Sequence, residues 1–174
     1  TLEKNMNIIN LLTEQEIKEN IRFKHYDSNQ VVFDEGAKCY GIGVVMEGEI
    51  LIKTYTYNIK EEIITVIKEK NLIGQFLLFS DQDTYLGIGI TSRKTKVAYI
   101  PKTNLITLLS SNKKFLEEYM KIICKEAISI KQQAKLLAHK NIRDRIMYYL
   151  ISNQKDKIVY IDSVTTLSNI LSIP

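Results

Sequence analysis

Few side chains in this sequence could do soft-ligand or redox chemistry, and their spacing limits what that chemistry could be. The 174 residues hold two cysteines and two histidines, Cys39, Cys124, His25 and His139. Two thiols cannot build a disulfide framework, a four-thiolate zinc site or a cysteine-ligated iron–sulfur cluster. Both therefore read as small buried hydrophobes, although Cys124, beside Ile123, could in principle approach a second copy of the chain. A histidine can titrate near neutral pH. His25, however, precedes a β-rich stretch with no further histidine, and His139 lies far downstream. A small-barrel metalloenzyme needs His and Glu ligands clustered within its strands. Neither that cluster nor a Ser/His/Asp or Cys/His arrangement is evident, so the expectation is a non-enzyme without a metal.

Charge points to a different kind of chemistry. The net charge is +4. Divided at Asn112 and Ile151, the three segments carry −1, +5 and 0, so the whole excess lies between residues 112 and 150. A basic excess on one helical stretch marks either a nucleic-acid face or ordinary lysine solvation. Apolar runs such as Ile8–Leu12 and Ile63–Ile67 fall far short of the roughly 20 residues needed to span a bilayer. With no secretion signal at the N-terminus and only two cysteines, the expected setting is the cytoplasm, away from membranes. The sequence begins at Thr1 and stops at Pro174, and both ends look cut.

The elements that must position these groups follow from periodicity. Residues Asn5–Arg22 read as a short amphipathic lead-in helix, with Thr13 and Glu16 as a capping box. From Gln30 to Ile100, short β-branched and aromatic runs are separated by Gly, Asn and Asp. They are Val31–Phe33, Gly43–Met46, Ile50–Tyr57, Glu62–Ile67, Leu72–Phe79, Leu86–Thr91 and Lys96–Ile100. Glu47-Gly48-Glu49 and Asn58 supply hairpin turns. Such strands predict a sandwich or roll.

Beyond Pro101 the period changes. Leu116, Met120, Ile123, Ala127, Ile130, Ala134 and Leu137 are spaced alternately four and three apart, the heptad of a coiled-coil seam. A helix from Lys113 to His139 would run about 40 Å. It could pack on its own β-domain, but a strict heptad with charged flanks favours a parallel homodimer. A second helix is expected over Asn141–Asn153, a short strand over Lys157–Ile161, and a helix over Val164–Leu171 capped by Ser163. A further helix would start at Pro174, giving a helix-turn-helix whose second member enters the major groove.

In this order the parts resemble the CRP/FNR family of bacterial transcription regulators. The likeness rests on Asp34-Glu35-Gly36, the hairpin Gly41–Ile50, the stretch Asn71–Phe79 that resembles the start of the phosphate-binding cassette, the helix start Asn141–Ile146, and Leu167–Pro174. It implies an α+β architecture: an N-terminal antiparallel β-roll (a double-stranded β-helix, cyclic-nucleotide-binding-like) over residues 1–111, a dimerisation helix over 112–139, and the N-terminal part of a winged helix-turn-helix domain over 140–174, its recognition helix missing. The implied partners are a second copy, double-stranded DNA with a palindromic site and a small-molecule effector, with RNA polymerase as a further one. Ser163, Thr165, Thr166 and Ser172 are the DNA-binding candidates.

In members that bind cyclic AMP, the resemblance implies a cassette Glu on the ribose hydroxyl and, about ten residues on, an Arg on the phosphate. Those positions here are Gln75 and Tyr85. No Lys or Arg occurs between Gly74 and Ser92, while Asp81 and Asp83 add negative charge. A phosphate there would lack its charge-assisted partner, so cyclic AMP is not the expected effector. The two cysteines argue against an iron–sulfur cluster and the scattered histidines against haem. Gly74, Gln75, Phe76, Leu77, Thr84, Tyr85 and Leu86 are the candidates for a pocket taking an uncharged or aromatic ligand. The expectation is a homodimeric DNA-binding regulator whose roll senses such an effector. The alternative is a dimeric ligand- or partner-binding roll that reads no DNA.

Overall fold

The structure, a computed structural model, describes residues 7–55, 61–161 and 163–172. Alternating apolar residues and tight turns build eight strands within that range: β1 (Arg22–Tyr26), β2 (Val31–Phe33), β3 (Gly41–Glu47), β4 (Glu49–Tyr55), β5 (Glu61–Lys68), β6 (Leu72–Ile73), β7 (Ile88–Thr91) and β8 (Thr95–Pro101). They form two four-stranded antiparallel sheets, ordered β1-β8-β3-β6 and β2-β7-β4-β5. Val45, Ile73 and Val97 from the first sheet meet Ile50 and Ile67 from the second. Each such side chain contributes about 1.5–3 kcal/mol by leaving water, and this shared core closes the roll.

The hairpin between β3 and β4 turns at Gly48 as expected. Its φ of +91° lies in the left-handed region, and a Cβ there would run into Thr95 and the Lys94 carbonyl. The turn expected at Asn58 lies outside the described residues, as does the end of the Ile50–Tyr57 run.

Several expectations are corrected. The lead-in is a 3-10 turn, Ile8–Leu11, followed by α1 (Glu14–Asn20), and Arg22 already opens β1. The capping box is present: the Thr13 N–H donates to Glu16 Oε2 at 2.8 Å, and the Glu16 N–H donates to Thr13 Oγ1 at 3.2 Å. The strand expected over Leu72–Phe79 ends at Ile73, because Gly74 takes a φ of +78° and turns the chain. The strand expected over Lys157–Ile161 does not form, and residues 155–158 make a tight turn instead. Asp156 and Lys157 both have positive φ, and Lys155 and Ile158 exchange backbone hydrogen bonds of 2.8 and 2.9 Å.

An unexpected helix, α2 (Lys102–Ser111), follows β8 directly and buries Leu105 and Leu108. Then come α3 (Lys113–Leu137), α4 (Ile142–Asn153) and α5 (Val164–Leu171). The chain divides into two compact units, Thr1–Met120 and Lys121–Pro174, with the division inside α3.

Candidate effector site and helical faces

The cassette is built from two limbs. After β6, the N–H groups of Leu77 and Leu78 both donate to the Gly74 carbonyl, at 3.1 and 3.0 Å, winding residues 74–80 into tight turns. Leu78 is buried by this winding, Gln75 and Leu77 are partly buried, and Phe76 and Phe79 are exposed. The return limb pairs with the segment before β3. The Cys39 N–H donates to the Asp83 carbonyl at 2.7 Å, the Tyr85 N–H to Ala37 at 3.0 Å, and the Gly36 N–H to Tyr85 at 2.8 Å. Extended pairing alternates side chains between faces. Leu86 is exposed and Thr84 accepts a 2.8 Å hydrogen bond from Gln82, whereas Tyr85 packs against the inter-sheet core.

The Tyr85 ring stacks on Phe33, with centroids 3.9 Å apart and planes 17° from parallel. Phe33 in turn lies against the backbone of Gly89, its cross-strand partner, where any Cβ would overlap the ring. The Tyr85 hydroxyl and the Cys39 sulfur both stand beside Gly74, and burial first, then the interaction with Cys39, pushes the phenol well above its ordinary value. Cys39 is buried, and its thiol donates to the Gly41 carbonyl at 3.2 Å and the Gly74 carbonyl at 3.7 Å. A Cβ on Gly74 would stand 2.7 Å from that sulfur. Glycine at 74 therefore serves both the turn and the close approach. Burial also raises Tyr26 and Tyr99.

Of the seven pocket candidates, the structure brings Gly74 and Tyr85 together around Cys39 and turns Phe76 and Leu86 toward solvent. Phe33 and Cys39 were not among the candidates. A signal for Phe33 exists in the strand pairing: an aromatic residue opposite a glycine has room to lie flat. The nearby cation Lys38 is held by Asp83 at 2.8 Å, which raises the lysine and lowers the carboxylate. What faces the core here is an aromatic face and neutral hydrogen-bonding groups. Among the described residues no three His, Cys, Asp or Glu side chains stand together to hold a metal ion, and no helix is long and apolar enough to cross a membrane.

The helices present a different surface. On α3, Phe115 and Tyr119 are buried while their neighbours Leu116 and Met120 are exposed. Farther along, Ile123 is partly buried, and Ala127, Ile130, Ala134 and Leu137 are exposed. Cys124, expected to be buried, is exposed. It follows Ile123 by one residue, about 100° around a helix, and so turns off the apolar seam.

In the second unit Leu136 and Leu171 are buried. Arg145 binds three backbone carbonyls: His139 through Nε at 2.8 Å, and Leu171 and Ser172 through one terminal nitrogen at 3.1 and 3.4 Å. Ser163 precedes α5, and its carbonyl accepts the Leu167 N–H at 3.0 Å. Thr165 is exposed, and Ser172, at φ +50°, ends the helix. The Thr166 side chain and Pro174 lie outside the described residues.

This roll is a known fold. Residues 23–112 match the cyclic nucleotide-binding domain, and the chain belongs to that family. Among solved structures the fold is that of CRP/FNR-type transcription regulators. CprK complexed with OCPA superposes with a TM-score of 0.70 at 15% identity, over 92% of this chain and 76% of that one. The c-di-GMP responsive global regulator CLP of Xanthomonas campestris gives 0.63 at 17%, over 92% and 84%. The catabolite activator protein of Thermus thermophilus gives 0.63 at 12%, over 97% and 81%. Comparison with curated proteins gives no match.

Proposed function

We propose that the protein is a homodimeric, DNA-binding transcription regulator whose roll responds to an effector other than cyclic AMP. The observation that carries this reading is the apolar heptad on α3, with Leu116, Met120, Ile130 and Leu137 exposed in the single chain. Pairing with a second copy would remove that surface from water. The α4 and α5 pair, carrying Ser163, Thr165, Thr166 and Ser172, supports placing DNA at the second unit, with a palindromic site matching a two-fold dimer. The regulators of similar fold favour the same assignment by analogy.

The cassette's chemistry supports the negative half of the proposal. A cyclic phosphate gains its strongest hydrogen bonds from a cation, and Tyr85 offers a neutral phenol while Lys38 is engaged by Asp83. The effector acts through the roll and shifts the population of dimer arrangements. Gel-shift against promoter fragments, with sedimentation to measure the dimer, tests the proposal. Salt-sensitive DNA binding by a dimer is the expected result. A monomer, or DNA binding indifferent to salt, would overturn it, as would micromolar cyclic AMP binding by calorimetry for the effector half.

A further inference from the structure

We infer that the side chain of Tyr85 is the resident ligand of this roll: it fills the space beside Phe33 and Cys39 against the inter-sheet core and holds that space closed to cyclic nucleotides. The inference takes the roll as the sensing unit, as proposed above.

Three independent contacts hold the ring. Phe33 covers one face at 3.9 Å, the shape of a stacked aromatic pair. The hydroxyl end lies beside the buried Cys39 sulfur, both of them against Gly74, as a ligand's polar group would lie against a polar wall. The backbone on both sides of the ring is fixed by the Tyr85 N–H and carbonyl bonds to Ala37 and Gly36. The surroundings are shaped to these side chains. Gly89 leaves space for Phe33 to lie flat, and Gly74 leaves space for the Cys39 sulfur under the hydroxyl.

A ligand bound elsewhere in such a roll would find apolar positions already packed: Val32, Ile52 and Tyr26 adjoin the same core as Phe33 and Tyr85. A ligand in this position would be neutral, aromatic and hydroxylated, which is what the tyrosine side chain is. Because the ring is tethered, its effective concentration at the site far exceeds that of a free small molecule. Charged nucleotides are disfavoured twice, by the missing cation and by the ring already in place.

The test is chemical complementation in the full chain. Tyr85→Ala deletes the occupant, and 4-methylphenol is the free form of the deleted group. Tyr85→Ala is expected to melt below the parent protein, and 4-methylphenol at about ten times its dissociation constant is expected to raise that midpoint by about 2–5 °C. The parent protein is expected to show no such rise. An equal rise in both proteins, or none in the variant, would overturn the inference.

Should Tyr85→Ala fail to fold, a fluorine probe in the parent background decides. With 3-fluorotyrosine at position 85, the fluorine resonance is expected to stay fixed as cyclic AMP or cyclic GMP is added to about 1 mM, far above a micromolar dissociation constant. A saturable shift would show the ring yielding to a nucleotide and would sink the inference. Neither readout involves DNA, so failure here and failure of the regulator reading are distinguishable.

Discussion

The core of the roll and the apolar face of the helices treat the same residue types in opposite ways. In the roll, Ile42, Val44, Val45, Ile50 and Ile100 are wholly buried, and even the cassette's tyrosine packs against the core. In the second unit, Ile128, Ile130, Met147, Ile151, Tyr160 and Val164 are exposed. Scattered exposed apolar residues are ordinary on any protein. A heptad of them on one helix is not scattered, and under the dimer proposed above a second copy would cover it. The contrast lies between the packed inter-sheet core and the apolar face of α3 left open in the single chain, since the first unit too exposes apolar side chains such as Tyr40, Ile63 and Leu86.

The sharpest way to break this contrast is to exchange equivalent damage between the two regions. Phe115→Ala, at a wholly buried position in the first unit, is expected to cost about 3–5 kcal/mol in urea unfolding. Ile130→Ala, 15 residues on and exposed, should leave the unfolding of the roll within about 0.5 kcal/mol of the parent. Similar losses at the two sites would erase the distinction.

Ile130→Asp then probes the seam. Placing a charge in the proposed pairing face is expected to weaken self-association by about 100-fold in sedimentation equilibrium, with roll stability unchanged. Unaltered association would move the dimer interface elsewhere.

Arg145→Met addresses the second unit's internal order. Its three carbonyl acceptors lose a charged donor, and a bond to a charged group is worth about 1.5–3 kcal/mol. Hydrogen exchange is expected to rise in α4 and α5 and to stay constant in β3 and β8. Arg145→Lys should restore little, because an ammonium lacks the fork that reaches both segments.

Two pH effects are expected on the roll's side of the contrast. Tyr26, Tyr85 and Tyr99 are raised above the ordinary 10.0, so their contribution is complete below that pH and is lost as pH rises through their higher folded values. The sign is reversed for Glu16, whose carboxyl is lowered from 4.5 chiefly by the Thr13 backbone N–H. Its contribution is present above 4.5 and fades as pH falls below it. Glu16→Gln should remove that acid dependence and cost at most about 1 kcal/mol. Thermal melts between pH 3 and 11 would check both signs.

Legibility in the sequence followed burial. The strands β3, β4 and β8 could be read because buried and half-buried residues recur along them, and α3 because its heptad is strict. Strand β1 could not: four of its five residues are exposed, with Tyr26 alone against the core and with Lys24 over Tyr99 and Lys96 over Phe23 as cation–aromatic contacts between strands. Helix α2 was hidden by its position directly after Pro101, where a strand ends and a helix begins without an intervening loop. At the cassette, Tyr85 could be identified as the position lacking a cation, but its destination could not. That depends on the pairing of residues 83–85 with 36–39, a contact between segments almost fifty residues apart.

Asn112 has a consequence for how the molecule comes apart. Its carbonyl and Oδ1 accept the first N–H groups of α3, from Leu116 and Phe115, while its Nδ2 donates to Leu11 in the lead-in turn and to Glu16 in α1. One amide thus joins the chain's first helix to the root of its longest. Local opening of the lead-in would leave Nδ2 without acceptors and loosen the first turn of α3, so the two ends of the first unit should open as a single cooperative element although about a hundred residues separate them in sequence.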